Sequence, residues 1–270
     1  MRFNFLLIIS LFFILQTARA QNDSSFSLTR TMQADVADFT VDNVGNVYLL
    51  TKNNLLKKFD QNGDSVTVFN AVTRFGDISY IDVSNPLKIL LYYKDFATIV
   101  EVDRFLNILN TIDLRSLGIF QVKAIGLAYD NNLWIYDELD AKLKRIGDDG
   151  TLIDQTTDFR QLFDTIPDPS LITDQGGLVY LYDVAKGVYV FDHYGTLKSH
   201  VQLNGWRDFT VIDKNLVGRN DRYFLKYQLG KITIQQEPLR DAYLNASKIK
   251  ITQSAIYVLK KNMLEIYTRR

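Results

Sequence analysis

The sequence predicts an all-β chain folded as a six-bladed β-propeller, its ring closed by an N-terminal strand that completes the last blade. Three observations carry this expectation. Strand-like apolar runs recur at a regular interval, each run sits in the same order of strands and turns, and no stretch of useful length carries the 3.6-residue apolar stripe of a helix.

The apolar runs set the period. They are Val47 to Leu50, Ile89 to Tyr93, Leu133 to Tyr136, Leu178 to Tyr182 and Ile256 to Leu259, with a weaker copy at Asn215 to Gly218. From Val47 to Ile256 five steps cover 209 residues, a period of about 42, which is the length of a four-stranded blade. Their apolar residues are consecutive rather than alternating, as a strand packed on both faces requires. A propeller blade lies between two others, which supplies both faces. A parallel α/β fold has such strands too but needs helices between them, and a β-sandwich lacks the four-part order.

The remaining strands follow from these anchors. An alternating segment precedes five of the six runs: Phe39 to Val41, Ile78 to Tyr80, Ile125 to Leu127, Phe209 to Val211 and Ile249 to Ile251. Turns rich in Asp, Asn and Gly join the two, as in Asp42 to Asn46 and Asp174 to Gly177. A third strand then runs into a hairpin turn. Leu56 to Asp60 leads to Asn62-Gly63, Leu143 to Ile146 to Asp149-Gly150, and Val188 to Asp192 to Tyr194-Gly195. Val66 to Phe69, Ile108 to Ile112 and Lys198 to Leu203 read as outer strands. The sixth repeat holds only three strands before the chain ends at Arg270, and Ser25 to Thr31 is an alternating strand ahead of the first repeat. It is expected to dock as the missing outer strand, leaving no unpaired seam and fixing the count at six blades.

The first twenty residues read as an export signal. Arg2 gives the positive start, Phe3 to Leu15 the apolar stretch, and Ala18-Arg19-Ala20 the small residues before cleavage at Gln21. The expected organisation is therefore a signal peptide over 1–20 and one propeller over 21–270, with no transmembrane segment in the mature chain. There are no cysteines, so the fold has no disulfide and no thiol chemistry, which suits a bacterial periplasm or cell surface. Removing Arg2 and Arg19 leaves 29 basic and 31 acidic side chains, which gives no reason to expect a nucleic-acid partner.

The segment Phe39 to Asp64 combines an aliphatic pair, an Asp, a Gly-Asn turn, an aromatic-rich strand, and a strand ending in Phe-Asp before a Gly turn. In this it resembles the NHL-type six-bladed propellers, and Leu171 to Gly195 resembles them with gaps. The Pro-Gly opening usual in those repeats is missing throughout. The resemblance implies the propeller architecture and a range of roles: lyases, lactonases, sensors and binding platforms.

Two constellations bear on function. Ahead of the inner strands stand Asp38, Asp77, Lys123, Ser170, Asp208 and Lys248. Three carboxylates about one axis, Asp38, Asp77 and Asp208, are candidate Ca²⁺ ligands. Gluconolactonase-like propellers place a metal there, and that resemblance implies a metal-dependent hydrolase. The chain departs from it in lacking the Glu-Gly-Pro-Trp-like start, and Lys123 and Lys248 oppose a cation, so the expectation is no metal and no cofactor. His193 and His200 fall in the outer hairpin of the fourth blade, away from the axis, and no Ser-x-Asp-x-Gly, Gly-x-Ser-x-Gly or phosphate-loop motif is present. The second constellation lies in the crossovers between blades, which carry Arg with an aromatic: Arg74-Phe75, Arg115 with Phe120, Arg160 with Phe163, Trp206-Arg207, and Arg240 with Tyr243. These types are enriched in interface cores. The leading expectation is a non-catalytic exported platform that binds protein, an accessory of an envelope secretion or assembly complex. The alternatives are the lactonase-like hydrolase and a glycan-binding module.

Overall fold

The computed structural model describes residues 26–33 and 35–269, so the signal over 1–20 and its cleavage before Gln21 lie outside the described residues. Twenty-four strands form six four-stranded antiparallel sheets arranged in a ring. β1 (Phe26–Gln33) precedes the first complete blade. Blade 1 is β2 (Val36–Val41), β3 (Val47–Thr51), β4 (Leu56–Phe59) and β5 (Ser65–Phe69). Blade 2 is β6 (Tyr80–Asn85), β7 (Lys88–Tyr93), β8 (Thr98–Val102) and β9 (Ile108–Asp113). Blade 3 is β10 (Val122–Leu127), β11 (Leu133–Asp137), β12 (Lys142–Ile146) and β13 (Leu152–Gln155). Blade 4 is β14 (Leu171–Gln175), β15 (Leu178–Asp183), β16 (Gly187–Phe191) and β17 (Leu197–Val201). Blade 5 is β18 (Arg207–Ile212), β19 (Asn215–Arg219), β20 (Tyr223–Gln228) and β21 (Gln235–Pro238). Blade 6 is β22 (Lys248–Ile251), β23 (Ala255–Lys260) and β24 (Met263–Arg269), with β1 as its outer strand.

Ring closure is as the sequence implies. β1 pairs antiparallel with β24 from Phe26↔Arg269 to Gln33↔Met263, with one bulge between Leu28 and Arg30. Thr29 Oγ1 donates to the Ile266 carbonyl at 3.1 Å, and Arg240 Nη1 to that of Phe26 at 2.9 Å.

Packing between blades explains the consecutive apolar runs. In β7, Ile89, Leu91 and Tyr93 pack with Tyr48, Leu50 and Leu56 of blade 1, while Leu90 and Tyr92 pack with Ile125, Leu133 and Ile135 of blade 3. Alternate side chains of one strand thus enter two different inter-blade cores. Each fully buried side chain of this size contributes about 1.5–3 kcal/mol.

Turns are closed by aspartates. Asp42, buried, accepts from the backbone N–H of Val44 and Asn46 at 3.1 and 2.9 Å, from Asn46 Nδ2 at 2.7 Å and from the Tyr48 hydroxyl at 3.0 Å. Asp60, Asp103 and Asp192 repeat the two backbone contacts in the hairpins between third and outer strands.

The inner strands depart from the expected register in three blades. The register pairs β2, β6 and β22 with their second strands at Asp38↔Leu50, Tyr80↔Tyr92 and Lys248↔Leu259, and β10 and β14 at Ala124↔Tyr136 and Leu171↔Tyr182. The ring at this level therefore contains Tyr80, Ala124 and Leu171, not Asp77, Lys123 and Ser170. Bulges at the start of β2 and β10 absorb the extra residue, and β6 starts two residues later than the alternation of Ile78 to Tyr80 suggests.

Candidate functional site

The chain runs down each inner strand, up the second, down the third and up the outer one. One face of the ring therefore carries the crossovers between blades and the loops joining second to third strands. The other carries the hairpin turns. The crossover face is tied together by its own backbone: Glu138 N–H donates to the Gln121 carbonyl at 2.9 Å, Leu114 N–H to Ala97 at 2.9 Å, and Phe159 N–H to Ala141 at 2.8 Å. Two single-turn helices, α1 (Val72–Phe75) and α2 (Phe159–Leu162), lie in crossovers on this face.

The crossover aromatics divide into buried and exposed. Trp206 is 4% exposed, its carbonyl accepts from the Tyr182 hydroxyl at 2.6 Å, and its ring lies over Gly218, where a Cβ would stand 2.9 Å from Cε3. Tyr243 is buried edge-on against Tyr267, with ring centroids 5.0 Å apart, and Phe75 is buried 5.3 Å from Tyr93. Phe163 is half-buried against Phe159 and Tyr189. These four plug the ends of inter-blade cores rather than stand as exposed anchors, because each crossover passes over the apolar gap between two blades. Their arginines have partners within the chain. Arg74 lies over Phe75 at 4.7 Å, Arg160 chelates Asp158, Arg207 pairs with Asp221, and Arg240 holds the Phe26 carbonyl. Only Phe120 of the expected aromatics is exposed, at 58%.

Phe120 belongs to a set that the repeat pattern did not reveal. Phe96, Leu139 and Val184, in the loops joining second to third strands of blades 2, 3 and 4, are each about half exposed. Leu162 and Ile166, in the crossover from blade 3 to blade 4, are also exposed. All six lie in the connections on the crossover face of blades 2 to 4, an apolar arc by topology. The same connections carry Arg115, Arg160, Lys186, Asp95 and Asp168, with Lys123 at the start of β10. Single apolar residues in loops carry no periodic signal, so only their shared face makes them a surface.

The three candidate carboxylates are each engaged locally, Asp77 away from the axial ring. Asp38 pairs with Lys248 at 2.6 Å, Asp77 accepts from Asn54 Nδ2 at 2.8 Å, and Asp208 pairs with buried Arg219 at 2.6 Å while accepting from Ile249 N–H at 2.9 Å. Among the described residues no group of three His, Cys, Asp or Glu side chains is placed to hold a metal.

Beyond these pairs a cavity of about 910 Å³ runs from the axis, on the hairpin-turn face, out between blades 6 and 1. Its wall includes Thr40, Tyr80, Asp82, Thr173, Thr210 and Lys250 from five inner strands.

No protein-family model matches the chain, and no curated protein does. Solved structures do. Virginiamycin B lyase from Staphylococcus aureus is similar over 91% of this chain and 100% of its own, with a TM-score of 0.62 at 12% identity. A catalytically inactive histidine-to-alanine form of that lyase, with quinupristin, matches 89% of this chain and 99% of its own, at a TM-score of 0.59 and 11% identity. BBS1N in complex with ARL6DN matches 91% and 97%, at 0.60 and 9%. The chain shares the propeller fold.

Both histidines are where the sequence places them, on the rim of blade 4. His193, in the turn after β16, stacks on Tyr129 with centroids 3.9 Å apart, and its Nε2 lies 2.9 Å from Asp174 Oδ1. Asp174 also accepts from Trp134 Nε1 at 3.0 Å and Tyr129 N–H at 3.1 Å, so the cluster joins blades 3 and 4. His200 stacks on Tyr189, and its Nε2 lies 2.8 Å from the Lys186 carbonyl oxygen. Among the described residues no helix is long and apolar enough to cross a membrane.

Proposed function

We propose that this chain is an exported, non-catalytic propeller that docks a protein partner on its crossover face, over blades 2 to 4, at the bacterial envelope. The observation that carries the reading is the apolar arc of Phe96, Phe120, Leu139, Leu162, Ile166 and Val184. An apolar centre with a polar, mixed-charge rim is the anatomy of a protein interface. BBS1N, of the same fold, was solved in complex with ARL6DN, and so gives a precedent for protein binding by a propeller. The lyase comparison speaks less for catalysis here. That enzyme loses activity when one histidine becomes alanine, whereas His193 and His200 are both engaged on the rim of blade 4.

The test is capture from native envelope by wild type and by a Phe120→Glu, Val184→Glu double variant, with Val44→Glu on the hairpin-turn face as control. A partner held by this arc should bind the double variant at least about thirtyfold more weakly, the mark of hot-spot residues worth ~2 kcal/mol. The control should bind as wild type does, and all three should melt alike. Full retention of every wild-type partner by the double variant would sink the reading.

A further inference from the structure

The inner strands place equivalent residues around the axis. Thr40, Asp82, Gly126, Thr173, Thr210 and Lys250 each pair with the matching position of their own second strand, from Thr40↔Tyr48 to Lys250↔Tyr257. Gly126 is the gap in this ring: a Cβ there would stand 2.8 Å from the Ile172 carbonyl, so a glycine lets β10 close against β14. Lys250 is the single cation of the six.

The carboxylates lining the cavity are hydrogen-bonded, and its other cation, Arg30, stands away from the axis on the outer strand β1. Asp82 accepts from Ser84 N–H and, across the blade boundary, from Leu127 N–H, both at 2.8 Å. Asp42, Asp60 and Asp174 are held by the turn and cluster donors described above, and Arg30 donates to the Gln61 carbonyl at 3.2 Å. Lys250 has no ion pair among the described residues, and its nearest hydrogen-bonding contact is Thr210 Oγ1 at 3.4 Å. The hydroxyls of Thr40, Thr173 and Tyr80 make no hydrogen bond within the described residues, and all three residues line the same cavity.

An ammonium short of acceptors, three free hydroxyls and a cavity of about 910 Å³ make a site with a few convergent polar groups, the usual form of a small-molecule pocket. The one cation on the cavity's axial wall calls for a single negative charge. The four carboxylates in the wall disfavour a dianion such as phosphate.

We propose that the axial cavity binds a small organic monocarboxylate, its carboxylate on Lys250 and its polar substituents on Thr40, Thr173 and Tyr80. The site opens opposite the crossover face and does not rest on the docking reading. Burial, with Lys248 adding to it and Asp82 and Asp208 opposing, holds the Lys250 amine below its usual value in the empty protein, and a bound carboxylate relieves that cost.

The test uses the purified protein with acetate, lactate and phenylacetate, their uncharged amides, and inorganic phosphate, at constant ionic strength. Melting temperature and calorimetry are read for wild type, Lys250→Met and Lys250→Arg. At least one carboxylate should raise the wild-type melting temperature and bind at least tenfold more tightly than its amide. Lys250→Met should lose that response and Lys250→Arg keep part of it. Circular dichroism should show Lys250→Met and Lys250→Arg folded as wild type is, so that a lost response is not a lost fold. The proposal is overturned if no carboxylate in the series acts, if amide or phosphate binds as well, or if Lys250→Met responds like wild type.

Discussion

Trp206 and Arg207 are neighbours in sequence with opposite fates. Trp206 fills the end of the core between blades 4 and 5, while Arg207 and its partner Asp221 stand in solvent. Trp206→Ala should therefore cost ~3–5 kcal/mol, lowering the melting temperature by roughly 6–20 °C. Arg207→Ala should cost no more than ~1 kcal/mol, as exposed pairs do. Thermal unfolding of the two variants checks this, and equal losses would contradict the assignment. Glu101 shows the same dependence on surroundings. It is buried in the third strand of blade 2, with Lys88 at 2.9 Å. Burial raises its carboxyl above the usual range, and Lys88 offsets only part of that. Between the usual value and the raised one, the folded state keeps a proton that the unfolded chain releases. The associated stability is present at low pH and is lost as pH rises through the folded value. Urea midpoints measured upward from about pH 4.5 should show this fall in wild type, and Glu101→Gln should flatten it. A Glu101→Gln curve parallel to wild type would be the contrary result.

At the scale of the element, the second strands were legible to within a residue because their apolar runs must serve two cores. The third strands of blades 2 and 5, Thr98–Val102 and Tyr223–Gln228, were not placed. The buried charges of blade 3 were not legible either. Lys144 sits between Asp137 and Asp140, and Arg145 pairs with Asp130 and Asp154 while lying 5.6 Å from the Trp134 ring centre. In sequence, Leu143 to Ile146 reads as a third strand, and nothing local marks its two cations as buried. The acids that permit burial come from the neighbouring strands, Asp137 and Asp154, and from turns, Asp130 and Asp140. Gly187, which opens β16, is fixed as firmly. Its φ is +95°, and a Cβ would stand 2.7 Å from the Leu203 amide nitrogen and closer still to the Val201 carbonyl. Gly187→Ala should cost more than ~3 kcal/mol, since backbone cannot yield as a side chain tip can. Chemical denaturation would check this; a loss under ~1 kcal/mol would mean that the close approach can relax.

For the whole molecule, stability depends on a closed ring. Removing Phe26 to Gln33 would strip β24 of its partner, uncover Tyr267 and unseat Arg240. The loss should exceed the ~0.5–3 kcal/mol of a point change. Lower solubility should accompany it, because an unpaired apolar edge invites association. Thermal melting and light scattering of the truncated chain measure both, and an unchanged melting curve would show that β1 adds nothing to closure. The two faces of this ring also separate two proposed roles, a protein surface over blades 2 to 4 and a ligand cavity on the opposite side.

By itself the sequence determined the blades, their number and the strand that closes them. Those follow from periodicity and from turn residues such as Asp42 and Gly63, which act on their immediate neighbours. What only the tertiary structure decided was the use of side chains outside the repeat. It buried Trp206 and Tyr243, gathered Phe96 and Phe120 onto one surface, engaged Asp38, Asp77 and Asp208 one by one, and left Lys250 with no ion pair among the described residues. The reason is that burial and pairing in a crossover or at the axis depend on which blades meet there. These contacts join residues that are tens to more than two hundred positions apart, as Lys248 and Asp38 are, and no local pattern encodes them.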